Sequence, residues 1–253
     1  MKRIAYGNTD PGKKRANNED ALLLDDQLGF YAVADGIGGN EGGEIASRIA
    51  VETFARAMPD LLGEKDRTPP VGRVRTDDPS VFALREAVSL ANRAINQERS
   101  QNPGLADMGT TLTALLLRDK RAFIANIGDS RAYLLRAGKL LQLTEDHSFV
   151  AEQVRAGTFT PEQARMSSYR HMITRALGLA EDAKADITNH ALKKDDRFLL
   201  CTDGLTEMVN DAEISSILAA SPPQKAVQQL LAAANERGGV DNITAVVVWV
   251  TEV

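Results

Sequence analysis

Acidic residues recur along this chain at points where short apolar runs end. The clusters are N-N-E-D at 17–20, A-D-G at 34–36, G-D-S at 128–130, T-D-G at 202–204 and V-D-N at 240–242. A carboxylate at the end of a buried strand is unfavourable unless a positive charge faces it. Hard divalent cations prefer the oxygen ligands that these clusters supply. The pattern therefore indicates a metal-dependent enzyme.

Two Asp-Gly pairs are the sharpest of these signals. At Asp35-Gly36 and Asp203-Gly204 an apolar run stops at the acid, and the glycine lets the chain bend closely past a ligand. Asp-Gly is also a common turn, and one such pair alone would be read as a plain strand exit. The recurrence of acids beside both pairs favours metal binding over that structural explanation.

A basic loop precedes the first acidic cluster. Arg15 lies four residues before Glu19 and follows Gly12-Lys13-Lys14. A lone arginine near acids is usually a weak surface ion pair. A loop of this composition can instead carry positive charge to a metal-bound anion, and the guanidinium fork fits two phosphate oxygens.

Bulk composition limits the fold class and the partners. The chain has 253 residues, 43% hydrophobic and 26% charged, with a net charge of −5. This is globular composition with room for a sizeable core, and it lacks the basic excess of nucleic-acid binders. The single cysteine, Cys201, permits no internal disulfide, and no apolar run could span a bilayer. We expect one domain over 1–253, cytoplasmic and monomeric, with no membrane or nucleic-acid partner.

The periodicity of apolar residues predicts the element types. Strands are expected over 21–24, 30–34, 111–117, 121–127, 132–135, 197–202 and 243–250, with a hairpin turn at 136–139. Helices are expected over 42–58, 80–99, 149–155 and 211–219, followed by a last helix with Ser221 as its N-cap. Polar loops are expected over about 60–80 and 157–169. Since helices and strands occur in separate blocks, the pattern predicts an α+β fold with mostly antiparallel sheets.

A series of short motifs runs in a fixed order over nearly the whole chain. They are R-A-N-N-E-D at 15–20, D-G-I-G-G at 35–39, G-E-I-A-S at 43–47, G-T-T at 109–111, G-D-S-R at 128–131, T-E-D-H-S at 144–148, I-T-R-A-L-G at 173–178, T-D-G-L at 202–205 and D-N-I-T at 241–244. Each is weak alone, but in this order the chain resembles the metal-dependent serine/threonine protein phosphatases of the protein phosphatase 2C family, in their compact bacterial form.

The resemblance implies both a fold and a metal site. The fold is a four-layer α-β-β-α sandwich, in which two mostly antiparallel sheets are flanked by pairs of helices. The cofactors are two core Mn²⁺ or Mg²⁺ ions, with a possible third. The implied ligands are Asp35, Asp203 and Asp241 for the first ion, Glu19, Asp35 and the Gly36 carbonyl for the second, and Asp129 with Asp203 for the third.

The implied reaction is hydrolysis of phosphoserine and phosphothreonine in proteins by a metal-activated water, without a covalent intermediate. Arg15 would clamp the phosphate, Asp20 would act through the waters around the metals, and Asp35 would bridge them. The partners would be phosphorylated proteins, among them substrates of a cognate serine/threonine kinase. Residues about 148–172, which we call the flap, would cover the active site and select substrates.

The chain departs from the family at its expected general acid. Relatives carry a histidine directly after the first Asp-Gly or just after the Gly-Gly pair, where this chain has Ile37 and Asn40. Neither side chain titrates. Of the histidines present, we predict a structural role for His147, with a hydrogen bond to Asp146 or the backbone, and surface positions for His171 and His190.

Three other classes of protein fit less well. A cysteine-dependent phosphatase needs an arginine six residues after its nucleophile, but Glu207 occupies that position relative to Cys201. A zinc site needs a ligand spacing that one cysteine and scattered histidines do not provide. A non-catalytic pseudophosphatase would have lost metal-binding acids, and all of them are present here.

Overall fold

The computed structural model describes residues 1–38, 42–63 and 78–253. Its strands are β1 (Lys2–Asp10), β2 (Asp20–Asp25), β3 (Phe30–Ile37), β4 (Gly109–Thr110), β5 (Leu112–Arg118), β6 (Arg121–Ile127), β7 (Arg131–Arg136), β8 (Lys139–Gln142), β9 (Asp186–Ala191), β10 (Arg197–Cys201) and β11 (Ile243–Glu252). Its α-helices are α1 (Gly42–Gly63), α2 (Pro79–Gln101), α3 (Phe149–Arg155), α4 (Pro161–Met166), α5 (Asp203–Thr206), α6 (Asp211–Ala220) and α7 (Pro223–Glu236).

Two antiparallel sheets face each other at the centre of the fold. One sheet has the strand order β1-β11-β10-β7-β8, and the other has β2-β3-β5-β6-β9 with β4 beside β3. Because side chains alternate along a strand, each sheet presents apolar residues on both faces. Tyr31 and Val246 pack between the sheets, whereas Phe30, next in the chain, packs outward against α1 and α2.

The helices complete the outer layers. Phe54 of α1 and Leu84 of α2 cover the sheet that contains β3. Leu230 of α7 and Ile214 of α6 cover the sheet that contains β11. The order of layers is therefore helix, sheet, sheet, helix, which confirms the predicted α+β sandwich.

Local sequence signals explain most element boundaries. Asp78 caps α2 by accepting a hydrogen bond from the backbone N–H of Ser80. The predicted hairpin joins β7 to β8, with Ala137 and Gly138 both at positive φ, as a tight turn of this kind requires. The helix predicted over 149–155 is α3.

Four expectations about elements are wrong or incomplete. The loop expected over 157–169 contains α4, whose capping box joins Thr160 to Gln163. Strand β9 was not predicted, because most of its side chains are exposed and polar. Helix α7 has Pro222 at its N-cap, while Ser221 ends α6. The loop expected over 60–80 is shorter, because α1 runs to Gly63 and α2 begins at Pro79; residues 64–77 lie outside the described residues.

Within the described ranges, none of the helices is both long and apolar enough to cross a membrane.

Candidate metal centre

The β2–β3 ladder begins the site. It places Asp20 directly opposite Asp35 at one end of the sheet. Thr111 fixes the backbone of Asp35 on both sides, since its Oγ1 accepts from the Asp35 N–H at 2.9 Å and its N–H donates to the Asp35 carbonyl at 2.9 Å. The carboxylate of Asp35 is therefore held on a rigid strand end.

The second sheet brings Asp203 and Asp241 to the same end. Asp203 follows β10 and opens α5, and Asp241 lies two residues before β11, which pairs with β10. At Gly204 a Cβ would lie 2.0 Å from the carbonyl oxygen of Asn242, so only glycine allows these two segments to come so close. The Asp-Gly pair thus serves close backbone approach, as its sequence suggested.

Burial, followed by mutual repulsion, raises the pKa values of the acids in this cluster. Burial raises the pKa of Asp35 well above its ordinary value, and the nearby carboxylates of Asp20, Asp203, Asp129 and Asp241 raise it further. Burial, followed by Glu207 and Asp241, raises the pKa of Asp203 to about 6, and a hydrogen bond with Asp35 partly opposes the shift. A positive charge placed between these carboxylates would therefore be favourable.

Asp20 is buried, and only one of its carboxylate oxygens is bonded. Its Oδ2 accepts hydrogen bonds from Thr202 at 2.9 Å and Thr244 at 2.5 Å, while its Oδ1 has no partner. Burial raises the pKa of Asp20 to about 7 against the opposing effect of these hydroxyls. A buried carboxylate oxygen without a protein partner is unfavourable, so Asp20 Oδ1 is suited to accept a hydrogen bond from water or to face a cation.

Asp129 repeats this arrangement on the β6–β7 loop. It is 7% exposed, its Oδ1 has no partner, and burial and then the Asp203 charge raise its pKa. The loop is anchored by His147, whose Nδ1 accepts a hydrogen bond from the Gly128 N–H at 3.1 Å. That bond requires an unprotonated Nδ1, so Nε2 donates to Asp186 at 2.9 Å. The predicted structural role of His147 is confirmed, with Asp186 rather than Asp146 as its carboxylate partner.

Asn242 ties the Arg15 loop to the site. Its Oδ1 accepts from the Glu19 N–H at 2.8 Å, and its side-chain amide donates to the carbonyls of Pro11 and Asn17. Arg15 is mostly exposed and donates to Asp241 Oδ2 at 2.8 Å. The Arg15 guanidinium is therefore already beside the acids, where it can meet an anion. Asn242 belongs to the D-N-I-T motif at 241–244, but the sequence alone predicted no role for it.

Glycines of α1 and β3 shape the space around Glu19. At Gly43 a Cβ would lie 2.4 Å from Glu19 Oε2 and 2.9 Å from the carbonyl carbon of Gly36. Burial raises the pKa of Glu19, and Arg15 opposes this shift. The start of α1 thus packs against the Glu19 carboxylate so closely that any side chain at position 43 would displace it.

We expect Gly43→Ala to weaken Mn²⁺ binding, because the added methyl moves the Glu19 carboxylate. The Mn²⁺ concentration for half-saturation in a calorimetric titration should rise by about tenfold or more. Gly63→Ala, in the same helix but with open space around the new methyl, is the matched control and should leave that concentration unchanged. Equal responses of the two variants to Mn²⁺ would show that Glu19 does not depend on this packing.

A large cavity adjoins the acids. It has a volume of about 1310 Å³ and extends from Asp129 and Asp203 along the flap. Arg131, which lines it, is engaged by Asp146, with 2.6 Å between Nη2 and Oδ2. The cavity is large enough for a peptide side chain to approach the acids.

The donor set fits hard divalent cations. Every sequence-predicted ligand side chain lies at this end of the sandwich, and all of them offer oxygen. Asp20 and Asp129 each have an unpaired Oδ1, and their pKa values are raised. Both properties favour a cation beside these carboxylates. Ile37 ends β3 and Asn40 lies outside the described residues.

Comparison with known proteins gives a consistent result. The family model described as protein phosphatase 2C matches residues 12–244. The chain is similar to the serine/threonine protein phosphatase PstP of Mycobacterium tuberculosis, at 37% identity over 96% of this chain. It spans only 44% of the length of that relative. It is also similar to protein phosphatase PhpP of Streptococcus pneumoniae, at 36% identity over 96% of each chain.

Solved structures show the same fold. The catalytic domain of the serine/threonine protein phosphatase PstP, in a complex with 2 manganese ions, superimposes with a TM-score of 0.84 at 35% identity. The superposition covers 99% of each chain. The agreement therefore extends over both sheets and their helices.

Proposed function

Because the chain belongs to the protein phosphatase 2C family, we propose that it is a metal-dependent phosphatase that hydrolyses phosphoserine and phosphothreonine in proteins. One observation carries the proposal. Acids from both sheets meet at one end of the sandwich, where burial and mutual repulsion favour added positive charge. Cations bound there, beside an exposed arginine, would hold a phosphoryl group between them.

The ligand assignment is the one that the resemblance implies. Asp35, Asp203 and Asp241 would hold the first ion, and Glu19, Asp35 and the Gly36 carbonyl the second. Asp129 with Asp203 would hold a third. When bound, Mn²⁺ or Mg²⁺ lowers the pKa of water and places positive charge beside the phosphoryl oxygens.

The remaining groups position the substrate and its water. Arg15 exchanges its bond to Asp241 for the phosphate, to which it can donate two hydrogen bonds at once. Asp20 keeps Oδ1 free to accept a hydrogen bond from a water, while Thr202 and Thr244 hold its other oxygen. Since Ile37 cannot donate a proton, water or a group of the substrate would protonate the leaving group.

The test is hydrolysis of p-nitrophenyl phosphate and of a phosphothreonine peptide by the purified protein. We expect no activity in excess chelator and full activity after Mn²⁺ is restored. Hydrolysis that persists in chelator, or no hydrolysis of either substrate with Mn²⁺, would contradict the proposal.

Arg15→Ala should raise the KM for p-nitrophenyl phosphate by about 10–100-fold, because two charge-assisted hydrogen bonds to phosphate are lost. Arg15→Lys should recover only part of this loss, since an ammonium cannot replace the fork. Lys14→Ala removes the neighbouring exposed cation and is the matched control. If Lys14→Ala and Arg15→Ala changed the KM equally, Arg15 would act only as part of the general positive surface charge and not as a specific phosphate ligand.

The biological setting is part of the proposal. The substrates would be phosphorylated proteins, including those of a cognate serine/threonine kinase. The protein would act in the cytoplasm as a monomer, with the single domain over 1–253 and the flap at 148–172 controlling access. The single cysteine supports a reducing compartment.

A further inference from the structure

A buried amide in the middle of α2 holds the backbone that follows the flap. Asn92 is 1% exposed, and its Oδ1 accepts a hydrogen bond from the Gly178 N–H at 2.8 Å. Its Nδ2 donates to the carbonyls of Ala180 and Glu181 at 3.0 and 2.9 Å. Asparagine is a weak helix former and is seldom buried. These bonds, which reach 86–89 residues along the chain, therefore explain its place in α2.

The backbone at Gly178 is shaped for this contact. Its φ is +85°, and a Cβ there would lie 2.6 Å from Ile95 Cγ2 and 3.0 Å from the carbonyl oxygen of Met108. Only glycine allows the chain to pass α2 so closely in this conformation. The preceding residue, Leu177, exchanges two backbone hydrogen bonds with Thr110, of 2.8 and 3.1 Å. The chain is thus fixed to the core at two consecutive residues.

The flap has few core contacts of its own. Helix α3 has no buried residue, and α4 buries only Ala164. At the base of the flap, the Thr174 N–H donates to the carbonyl of His147 at 2.8 Å, so its outgoing chain pairs with its incoming chain. His147 is anchored in turn to the loop at Gly128. The position of the flap therefore depends on two anchors, His147 on the incoming side and Asn92 on the outgoing side.

We propose that Asn92 is a positioning residue for the flap, which fixes one wall of the cavity beside the acids from the far side of α2. Flap residues Val150, Val154, Ala164 and Arg170 form part of that wall. The inference deepens the proposed function, on which its kinetic readout rests. A phosphorylated peptide that extends along the wall would depend on Asn92, whereas p-nitrophenyl phosphate is small enough to be held at the acids alone.

Kinetics with a large and a small substrate separate this role from a general loss of stability. Asn92→Ala removes all three hydrogen bonds of the side chain but keeps a good helix former in α2. We expect the KM for a phosphothreonine peptide to rise by about tenfold, and the KM for p-nitrophenyl phosphate to rise much less. Gln97→Ala, on the exposed face of α2, is the matched control and should change neither KM.

Two kinetic results would overturn the inference. One is an equal change, or no change, in the two KM values of Asn92→Ala. The other is a lower kcat for both substrates at unchanged KM, which is what a smaller fraction of folded enzyme would produce.

Hydrogen exchange tests the anchor without an activity readout. In the metal-free wild type the Gly178 amide should exchange slowly, and in Asn92→Ala it should exchange at least about tenfold faster, together with amides of the flap but not those of β5. Gly178→Ala keeps Asn92 but pushes the chain away from α2, so it should speed exchange in the flap to a similar degree. Unchanged flap exchange in both variants would overturn the inference. The expected exchange in a protein that hydrolyses no phosphate ester would refute only the proposed function.

Discussion

Replacing Asp35 with asparagine should abolish phosphatase activity while making the metal-free protein more stable. Asp35 is partly buried among other acids, and its pKa is raised well above the ordinary value by burial and by their charges. Asparagine removes the ionisable group, so the metal-free fold should gain on the order of 1 kcal/mol. The same change also removes the negative charge and one of the two oxygens with which Asp35 would hold the ions, so kcat/KM should fall by at least about 10²–10³-fold.

The measurement is a denaturant titration in chelator together with a p-nitrophenyl phosphate assay in Mn²⁺. Asp182→Asn, at an exposed position outside the site, is the matched control and should change neither quantity. A metal-free Asp35→Asn protein that is less stable than the wild type would show that the Asp35 carboxylate stabilises the fold. Normal turnover by the variant would remove Asp35 from the metal site.

The metal-free protein should lose stability as the pH rises from about 4 to 7. Burial raises the pKa of Asp20 to about 7 and of Asp203 to about 6, and it raises those of Asp35 and Asp129 well above the ordinary value. Unfolded aspartates titrate near 4, so the folded state binds more protons throughout this window. The stabilisation is complete below the unfolded pKa and is lost as the pH passes the folded values.

Bound Mn²⁺ should reverse this trend, because metal binding requires ionised carboxylates and strengthens with pH. At 100 times its dissociation constant, one ion adds about 2.7 kcal/mol. Denaturant titrations at about pH 5 and pH 7.5 measure how the free energy of unfolding changes with pH. One series contains chelator and the other contains saturating Mn²⁺. A metal-free stability that rises with pH over this interval would mean that the acids are not forced together in the folded protein.

The fold was largely predictable because most strands are short, continuous apolar runs between polar turns. Strand β9 was missed for a physical reason. It lies at a sheet edge, where β6 is its one partner among the described strands, and it exposes most of its side chains, so it has no apolar periodicity. Helix α4 was missed although Thr160 and Gln163 carry a capping box, because a helix of 6 residues leaves no apolar stripe.

The acids of the site could be found from sequence, but the groups that support them could not. Thr202 donates to Asp20 across 182 residues of chain, and Asn242 organises the Glu19 loop from the opposite end of the sequence. Hydrogen bonds over such separations leave no local pattern. His171 was expected to be a plain surface residue, and its approach to Glu207 depends on how the flap packs.

The most direct test of the account is a crystal of this protein grown with Mn²⁺ and measured at the manganese absorption edge. We expect anomalous peaks within about 2.3 Å of carboxylate oxygens of Glu19, Asp35, Asp203 and Asp241, with Asp35 contacting two of the peaks. Peaks confined to other surfaces, in a crystal whose protein hydrolyses phosphothreonine, would contradict the claim that these acids assemble the metal centre.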